Sequence, residues 1–557
     1  TIMSESATAS EKARYGLDSE MRQMVLDTVA QLSKRLLAKD KVLEWDKKEI
    51  FPEETIREML GPEIGLQLLM IPEKYGGMGG GAKDSYILTR EMSKICLGIT
   101  TAFFAIQLGA DPLMVGGTVE QKKKWLGAIA EGNALVAYAV TEPGAGSDVA
   151  NIKTKAAPVV NDAGEVVGYK INGTKQFIST GGAADFITLL AKTPEGPSIF
   201  VIERGTEGYV PGRSEEKHGI RASQTSQLSF TDVFVPIENL IGGIPGNGFK
   251  QANQVFGYTR LMVAAMGLGA GQAALDIAIP YAKERFVSGS LLSEKQGYTH
   301  KLILPHAVRL EAAGAYIEEI ADRLDARERD LQVEGSIAKY FATEIGNRAA
   351  EDAMQALGGY GYTSEFEVEK IKRDVKITCI YEGASEVQQN IISTFRWRTT
   401  VKSKGEFYGA IAREMDALEE SFGDAGCRCY AAAANALNEA ILLVHRNRLN
   451  RMQHIMFGLA DTMVHVEVGA ALARKAAAAD RAGGAAAEKL RLMSCIFAHD
   501  AARTVHDTIM TILMGTGVFD EGAINDFRSS VDLTEIAESC RNLVPAMDRL
   551  ADIIFER

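Results

Sequence analysis

The spacing of the apolar residues changes twice along the chain, and no other feature of the sequence constrains the fold as strongly. From about residue 18 to 130, apolar residues recur every three or four positions, as Val25 and Val29 do, which is typical of amphipathic helices. Between about residues 136 and 241 the pattern consists of short β-type runs, and from about residue 248 onward it is helical again. The sequence therefore predicts a multidomain α+β protein in which a β domain lies between helical regions.

Turn signals divide the β region into strands. Asn172-Gly173, within GYKINGTKQFIS, is a strong hairpin signal because both residue types accept the positive φ angles of a two-residue turn. Residues 162–164 (DAG) and 194–196 (PEG) supply two further turns. The run LSFTDVFVP indicates another strand, which Pro236 closes.

Two stretches in the C-terminal half resemble each other at a constant offset. VRLEAAGAYIEEIADR begins at Val308 and VHVEVGAALARKAAAA at Val464, and the next pair of similar helices begins at Phe341 and Phe497. Both offsets equal 156 residues (464 − 308 and 497 − 341), which favours a degenerate duplication over chance. We divide the chain into an N-terminal helical domain (1–135), a central β domain (136–245), a helical bundle domain (246–395) and an extra C-terminal helical domain (396–557).

The bulk properties argue against several classes of protein. A formal net charge of −12 makes nucleic acid and anionic membranes poor partners, although the basic segment 445–454 (HRNRLNRMQH) leaves peripheral membrane association open. No Cys-x-x-Cys or His-Glu-x-x-His occurs, so we expect no metal site and a reducing compartment. Residues 1–14 lack the features of a secretory or transit peptide, and no run of about 18 apolar residues indicates a membrane span. We expect a cytoplasmic protein, of the bacterial cytosol rather than the mitochondrial matrix.

The stretch IYEGASEVQQN places one carboxylate, Glu382, in a predicted turn. Residues 385–388 (SEVQ) have the pattern of a capping box, so a helix is predicted to begin at Ser385. On these residues alone two interpretations are open. Glu382 is either an exposed turn residue or a general base at the bottom of a cleft, where apolar neighbours such as Tyr381 raise the pKa of a carboxyl group.

A glycine-rich loop follows a predicted strand in YAVTEPGAGSDVANIKTKA, residues 138–156. Gly144 and Gly146 let the backbone approach a ligand closely, and Thr141 and Ser147 offer hydroxyl groups. The segment lacks the Gly-x-Gly-x-x-Gly spacing and the βαβ unit of a dinucleotide loop. By itself it predicts only a turn.

Taken together, segments from about residue 18 to 395 resemble the acyl-CoA dehydrogenase family. They occur in the family's order: IPEKYGGMG, TVEQKKKWL, YAVTEPGAGSDV, INGTKQFIS, KHGIRAS, FTDVFVP, QALGGYGY and IKRDVKITCIYEG. The tail of ~160 residues further resembles the very-long-chain type, which carries an extra helical domain. The resemblance implies an N-terminal helical domain, a central β-barrel or sandwich domain and a four-helix-bundle domain, followed here by an additional C-terminal helical bundle.

The resemblance also implies a reaction and a cofactor. Glu382 would remove the proton α to a thioester carbonyl, while the β hydrogen leaves as a hydride to FAD. Cofactor contacts in the β domain would come from Tyr138, Val140, Thr141, Gly146, Ser147, Phe177, Ile178 and Ser179. In the family a second subunit completes the FAD site, and the matching residues are Arg285, Gln296, Gln355, Gly358, Gly359, Ala384, Ser385 and Glu386.

An acyl-CoA substrate follows from the same resemblance. Substrate contacts are expected at Ser147, Phe104, Leu108, Thr259, Arg260, Tyr381 and Gly383. The helix beneath the acyl group is expected to include GITTAFFAIQLGADP, in which Phe103 and Phe104 are bulky. A short, medium or ring-bearing acyl group is therefore favoured over a very long one.

The resemblance implies an electron-transfer flavoprotein as the electron acceptor, and with it a place in fatty acid β-oxidation. Two alternatives stay open: an acyl-CoA oxidase that uses molecular oxygen, and a non-catalytic acyl-CoA-binding or assembly protein. Shorter members of the family form dimers of dimers. Because the extra domain, residues 396–557, is expected to stand where a second dimer would dock, we predict a soluble homodimer.

We predict one FAD per chain and none in the C-terminal domain. At the offset of 156 residues, Thr511 replaces Gln355 and Met514 replaces Gly358, so close approach of a cofactor to the backbone would be blocked. Glu538 falls at the register of the predicted base, but its neighbours are Ala and Ser instead of Tyr and Gly.

Overall fold

The computed structural model describes residues 16–132, 134–423, 425–484 and 486–557, apart from the side chains of residues 256–258. These residues form two compact units. The first comprises the described residues up to Met262 together with Ile320–Leu331, and the second comprises Val263–Glu319 and Gln332–Arg557. The division into four domains remains a prediction. The expectation about targeting signals concerns residues 1–14, which lie outside the described residues.

The helices that precede the sheet pack their apolar faces into one core. Asp18 begins the first helix by accepting a hydrogen bond from the Met21 N–H at 2.8 Å, which satisfies one of the donors left open at a helix start. The helices are α1 (Ser19–Leu32), α2 (Lys39–Lys48), α3 (Glu53–Leu60), α4 (Ala82–Ile95), α5 (Leu97–Gly116), α6 (Val119–Gln121) and α7 (Gly127–Ala130). Helix α5 is buried almost throughout, which explains why it is apolar on every side.

A sheet of seven strands follows. Its strands are β1 (Val136–Ala139), β2 (Lys155–Val160), β3 (Val166–Ser179), β4 (Phe186–Thr193), β5 (Gly196–Glu203), β6 (Tyr209–Ser214) and β7 (Thr225–Pro236). The strand order is β1-β4-β2-β3-β7-β6, with β5 paired to β4. Strand β4 is buried on both faces because one face joins the sheet's own core and the other joins the core of the N-terminal helices. The predicted turns at residues 162–164 and 194–196 and the strand end at Pro236 are confirmed.

The hairpin predicted at Asn172-Gly173 is wrong. Both residues lie inside the single strand β3, where the register with β7 shifts between Ile171 and Gly173. Asn172 Nδ2 donates to Asp232 Oδ1 at 3.0 Å, and the Asp232 N–H donates to Asn172 Oδ1 at 2.9 Å. The residue pair therefore makes a β-bulge that is fixed by a residue of a distant strand, not a turn.

Helix α5 lies unusually close to strand β1. A Cβ atom at Gly109 would come within 2.4 Å of Val136 Cγ1, so only glycine allows this approach. The Gly109 carbonyl also accepts a hydrogen bond from Thr188 Oγ1 at 3.0 Å. The contact fixes α5 beside the strand that leads into the glycine-rich loop.

The remaining helices make up the rest of the chain. They are α8 (Gly248–Glu284), α9 (Gln296–Leu302), α10 (Leu304–Asp325), α11 (Gln332–Ala356), α12 (Val368–Val375), α13 (Ser385–Lys402), α14 (Glu406–Ser421), α15 (Cys427–Arg446), α16 (Gln453–Ala482), α17 (Ala486–Met510), α18 (Glu521–Ser530), α19 (Leu533–Glu538) and α20 (Leu543–Phe555). A short hairpin of β8 (Phe286–Val287) and β9 (Ser290–Leu291) follows α8. The predicted fold class, helical regions around a central sheet, is confirmed.

The helix order of the second unit repeats at the offset found in the sequence. Helix α17 begins 154 residues after α11 (486 − 332), and α20 begins 158 residues after α13 (543 − 385), which brackets the offset of 156. A buried ion cluster joins the helical bundle predicted over residues 246–395, here called the first bundle, to the C-terminal helices of residues 396–557, here called the second or C-terminal bundle. Arg396 donates to Glu467 at 2.8 Å and to Glu334 at 2.9 Å, and Tyr408 OH donates to Glu467 at 3.0 Å.

Three helices in the described part of the chain are long and apolar enough to cross a membrane by length and composition. They are Leu97–Gly116, Gly248–Glu284 and Gln453–Ala482, and 78% of the apolar window of each is buried inside the protein. No uninterrupted apolar run revealed them in the sequence, because polar residues interrupt each one. Their apolar surface packs within the protein as observed.

Candidate active site

A buried ion pair connects the glycine-rich loop, residues 138–156, to strand β3. Lys175, on β3, is fully buried, and its Nζ donates to Glu142 Oε1 and to the Val140 carbonyl, both at 2.9 Å. The Gln176 N–H donates to the Thr141 carbonyl at 2.8 Å. Strand β3 therefore holds the start of the loop through three hydrogen bonds.

The Glu142 carboxylate connects this loop to the segment that follows it. It accepts hydrogen bonds from the backbone N–H groups of Lys153 at 2.5 Å and Thr154 at 3.0 Å, in addition to the bond from Lys175. Burial acts to raise the pKa of Glu142, but the hydrogen bonds outweigh it and the pKa is lowered. Burial lowers the pKa of Lys175 to about 8, although Glu142 opposes the decrease. At neutral pH both groups are charged.

Phe177 faces solvent because the strand is irregular. The register of β3 with β7 shifts between Lys175 and Ile178, and Phe177 adopts a φ of +59°. Lys175 and Ile178 are both buried, which regular alternation along a strand would forbid for residues three apart. The bulge therefore turns Phe177 outward, leaving 64% of the residue exposed.

The other predicted cofactor residues of the first unit differ in their exposure. Val140 and Ile178 belong to the cores on either side of the sheet, Tyr138 is half-buried, and Gly146 and Ser147 are exposed. A Cβ at Gly144 or Gly146 would meet no atom within 4 Å, so the loop backbone is open on that side.

The predicted acyl and coenzyme A contacts of the first unit lie on helices. Phe104 is buried and Leu108 half-buried on α5, one turn from the Gly109 contact with β1. Thr259 is buried and Arg260 half-buried on α8. Helix α5, which carries Phe104 and Leu108, therefore lies beside the strand that leads into the loop, and their role as acyl contacts stays a prediction.

In the second unit, Glu382 occupies a strained turn. It adopts a φ of +53°, which is uncommon outside glycine, and Gly383 follows with a φ of +90°. Lys339 Nζ donates to the Gly383 carbonyl at 2.6 Å, and Gln388 Nε2 donates to the carbonyls of Glu382 and Gly383 at 3.2 and 3.0 Å. These donors hold the turn, and the Glu382 side chain is half-buried.

Helix α13 begins at Ser385 as predicted, but the capping box is wrong. The structure has Ala384 at the N-cap, and no side chain caps the helix. Ser385 Oγ instead donates to Glu344 Oε1 at 2.6 Å, and Gln388 is turned toward the carbonyls of the turn. The two polar side chains thus support the Glu382 turn from the helix that follows it. Glu386 is exposed.

A second group of predicted cofactor residues shares one surface of this unit. The Arg285 guanidinium lies 5.9 Å from the ring centre of Tyr360, and Tyr298 OH donates to the Ala356 carbonyl at 2.9 Å. These contacts bring α9 and the segment after α8 next to the end of α11, where Gln355 is exposed. A Cβ at Gly358 or Gly359 would meet no atom within 4 Å.

Gln296, from the same predicted group, is held by the C-terminal helix. Its Nε2 donates to Asp548 Oδ1 at 2.8 Å, and His300 Nε2 lies 3.1 Å from the same carboxylate oxygen. Burial lowers the pKa of His300, although Asp548 opposes the decrease. The extra domain therefore contacts one of the predicted cofactor residues directly.

The sequence analysis missed four residues that position the site: Glu142, Lys175, Lys339 and Gln388. Lys175 carried a signal, because a lysine between strand residues that face the core is rarely buried without a partner. Lys339 carried none, because its acceptor is a main-chain carbonyl far along the chain. Within the described residues, no group of three or more His, Cys, Asp or Glu side chains could hold a metal ion.

Comparison with known proteins identifies the family. Family models for the N-terminal, middle and C-terminal domains of acyl-CoA dehydrogenases match residues 19–133, 137–233 and 246–395. A short-chain specific acyl-CoA dehydrogenase of Megasphaera elsdenii is 39% identical over 356 residues, which covers 62% of this chain and 90% of that protein. The chain belongs to the acyl-CoA dehydrogenase family, whose members are FAD-dependent oxidoreductases, and the predicted family and cofactor are confirmed.

Two solved structures extend the comparison. An acyl-CoA dehydrogenase of Bacillus anthracis complexed with FAD covers 99% of this chain and 96% of its own, with a TM-score of 0.83 and 24% identity, so it shares the fold including the C-terminal domain. A structure described as the electron transferring flavoprotein of Acidaminococcus fermentans covers 68% of this chain and 98% of its own, with a TM-score of 0.64 and 34% identity.

Each unit contributes residues whose chemistry suits contact with FAD. In the first unit, an outward-facing aromatic ring at Phe177 adjoins a loop whose glycines are open. Thr180 Oγ1, three residues beyond Phe177, is buried without a hydrogen-bond partner among the described residues. In the second unit, Arg285 can bind a phosphate and Gly358 leaves the backbone open to a ligand. The assignment of individual cofactor contacts remains a prediction.

Proposed function

We propose that the protein dehydrogenates an acyl-CoA thioester between its α and β carbons, with Glu382 as the base. The observation that supports this role is the conformation of the turn. Glu382 has a positive φ, Lys339 on α11 binds the Gly383 carbonyl, and Gln388 on α13 binds the carbonyls of Glu382 and Gly383. A strained residue that is held by its surroundings is typical of functional sites. An ordinary surface turn would need no such support.

Glu382 would accept the α proton of the substrate. Its fixed backbone limits the positions of the carboxylate, so the proton meets an acceptor that is already oriented. The Tyr381 hydroxyl donates a hydrogen bond to Met266 Sδ at 3.0 Å, which keeps the ring beside the turn. FAD, when bound, supplies the acceptor for the β hydrogen.

Exchange of the carboxylate for an amide tests the base. Glu382→Gln should retain FAD and lower turnover by at least about 10⁴-fold, because the amide has the same shape but cannot accept the proton. Glu538→Gln is the matched control, because Glu538 lies at the same register of the second bundle and is paired with Arg541 at the surface. Glu382→Gln with a tenth of wild-type turnover would disprove the assignment.

For the substrate, we propose a short, medium or ring-bearing acyl group. Phe103 and Phe104 are both buried on α5, which is fixed against β1 at Gly109, so this helix has little freedom to make room for a long chain. The similarity to a short-chain specific enzyme supports the same choice. A panel of acyl-CoA thioesters, scored by anaerobic loss of flavin absorbance, would identify the preferred length.

We propose an electron-transfer flavoprotein as the acceptor, supported by the resemblance and by the similarity to the Acidaminococcus fermentans structure. An oxidase would consume oxygen with acyl-CoA alone, whereas a dehydrogenase would need the flavoprotein or an artificial acceptor. Oxygen uptake at the rate of flavoprotein reduction would overturn the proposal.

We also propose a cytosolic homodimer. The surface around Arg285 and Gly358 carries exposed apolar residues, with Phe286 at 64% and Tyr362 at 84% exposure, and a second copy of the chain would cover them. A dimer is expected by light scattering at micromolar concentration. A stable tetramer would show that the C-terminal domain does not replace a second dimer, and tight binding to liposomes would contradict the cytosolic assignment.

A further inference from the structure

The C-terminal bundle places an exposed thiol beside a histidine, with two further thiols on neighbouring helices. Cys540 lies exposed in the turn after α19, and its Sγ is 3.5 Å from His499 Nδ1 on α17. The same nitrogen is 3.3 Å from Ser539 Oγ. Cys429, on α15, is buried and close enough to interact electrostatically with Cys495 and Cys540. Three elements of the bundle therefore contribute to one cluster.

The cluster occupies the position that corresponds to the Glu382 turn. At the offset of 156 residues, Ser539 corresponds to Gly383 (539 − 383) and His499 to Thr343 (499 − 343). Cys495 likewise corresponds to Lys339, the lysine that supports the turn in the first bundle. The repeated fold thus brings the same positions together and equips them with different chemical groups.

His499 is suited to accept a proton from the thiol. Burial lowers the pKa of His499 despite the opposing charge of Asp500, and Arg503 adds to the decrease, so the imidazole is neutral at pH 7. A neutral imidazole with its proton on Nε2 has an acceptor at Nδ1. Nδ1 is the atom that faces both Cys540 and Ser539.

Two other thiols of the bundle provide an internal contrast. Burial raises the pKa of Cys427 and of Cys429 to about 12, so both stay protonated and unreactive at neutral pH. Cys429 Sγ is also 3.4 Å from the Ala498 carbonyl. Cys540, in contrast, is both accessible and next to a proton acceptor.

We propose that Cys540 is a reactive thiol, with His499 as its proton acceptor, and that it takes small electrophilic oxidants such as hydrogen peroxide. The thiol proton passes to His499 Nδ1, and the thiolate attacks one oxygen of the peroxide. The O–O bond breaks, the sulfur is oxidised by two electrons to a sulfenic acid, and the departing hydroxide takes the proton from His499 and leaves as water. This site is independent of the proposed dehydrogenation.

Alkylation of the full-length holoenzyme by iodoacetamide tests the thiol. Cys540 should react faster at pH 7, by about threefold or more, than in an unfolded peptide of residues 536–544, because His499 Nδ1 can take the thiol proton as the sulfur attacks. His499→Gln should reduce the rate to that of the peptide, and His506→Gln, an exposed histidine on the same helix, should leave it unchanged. Peptide mapping reports each cysteine separately.

The peptide comparison needs only the wild-type protein, so it holds even if His499→Gln fails to fold. A Cys540 rate equal to or below that of the peptide, or an unchanged rate in a folded His499→Gln variant, would overturn the proposal. For the oxidant, dimedone trapping after hydrogen peroxide should label Cys540 in the wild type and nothing in Cys540→Ser. Labelling mainly at another cysteine would equally overturn it.

Discussion

Lys175→Met should destabilise the first unit and release its cofactor. Methionine fills much of the space of the lysine stem but removes the ammonium group that binds Glu142 and the Val140 carbonyl. Breaking a buried ion pair on one side costs about 3–5 kcal/mol. Glu142 retains its two bonds from the Lys153 and Thr154 N–H groups, so we expect about 3 kcal/mol, near the lower end of that range.

Urea titration of the holoenzyme, followed by the rise in flavin fluorescence as FAD leaves, measures this loss of stability. It does not require both units to unfold together. Lys170→Met, an exposed lysine on the same strand, is the matched control and should stay near wild type. Lys175→Met combined with Glu142→Gln should recover part of the loss, because no buried charge then lacks its partner. If Lys175→Met matched Lys170→Met and kept its FAD, the ion pair would have no role in holding the loop.

Two further predictions follow from the same charges and from the duplication. The folded pKa of Lys175, about 8, lies below its ordinary value of 10.5, so between these pH values the unfolded state binds more protons. The stability of wild type relative to Lys175→Met should therefore increase as the pH is raised from about 8 to 10.5, and this gain should be lost as the pH is lowered to about 8. A constant difference between the two proteins in urea titrations would contradict the lowered pKa of Lys175. Flavin absorbance should give one FAD per chain, because Met514 stands at the register of Gly358; two would refute it.

The sequence predicted those features that depend on neighbouring residues. Helical and β spacing gave the order of the regions, and α13 begins at Ser385 as expected. Prediction from the sequence was wrong where a residue far along the chain determines the local structure. Asn172-Gly173 has the same local signal in a hairpin and in a bulge, and the difference is made by Asp232, 60 residues away (232 − 172).

The candidate site shows the same division. Glu382 and the loop were predicted from a resemblance carried by local segments. The residues that hold them could not be predicted in this way. Lys175 lies 33 residues from Glu142, and Lys339 lies 44 residues from Gly383. Such pairs exist only once the strands and helices are packed, so a single sequence gives little indication of them.

Comparison of the two bundles shows what keeps the Glu382 turn in place. Glu538 is the last residue of helix α19, and it lacks the positive φ that Glu382 has. In the second bundle Ser539 replaces the glycine of the turn and Cys495 replaces Lys339. The strained conformation is therefore present where the glycine and the lysine donor are present, and it is absent where both have been replaced.

Lys339→Met should consequently lower turnover although Glu382 is intact. A non-glycine residue with positive φ costs about 1–3 kcal/mol, so without the 2.6 Å bond to the Gly383 carbonyl the competent turn should become about 5- to 150-fold less populated. The rate of flavin reduction at saturating substrate should fall by the same factor, whereas Lys376→Met, an exposed lysine nearby, should not change it. Because the loss arises from population and not from proton transfer, it should remain well below that of Glu382→Gln. A Lys339→Met rate within twofold of wild type would show that the turn is held by its glycine and Gln388 alone.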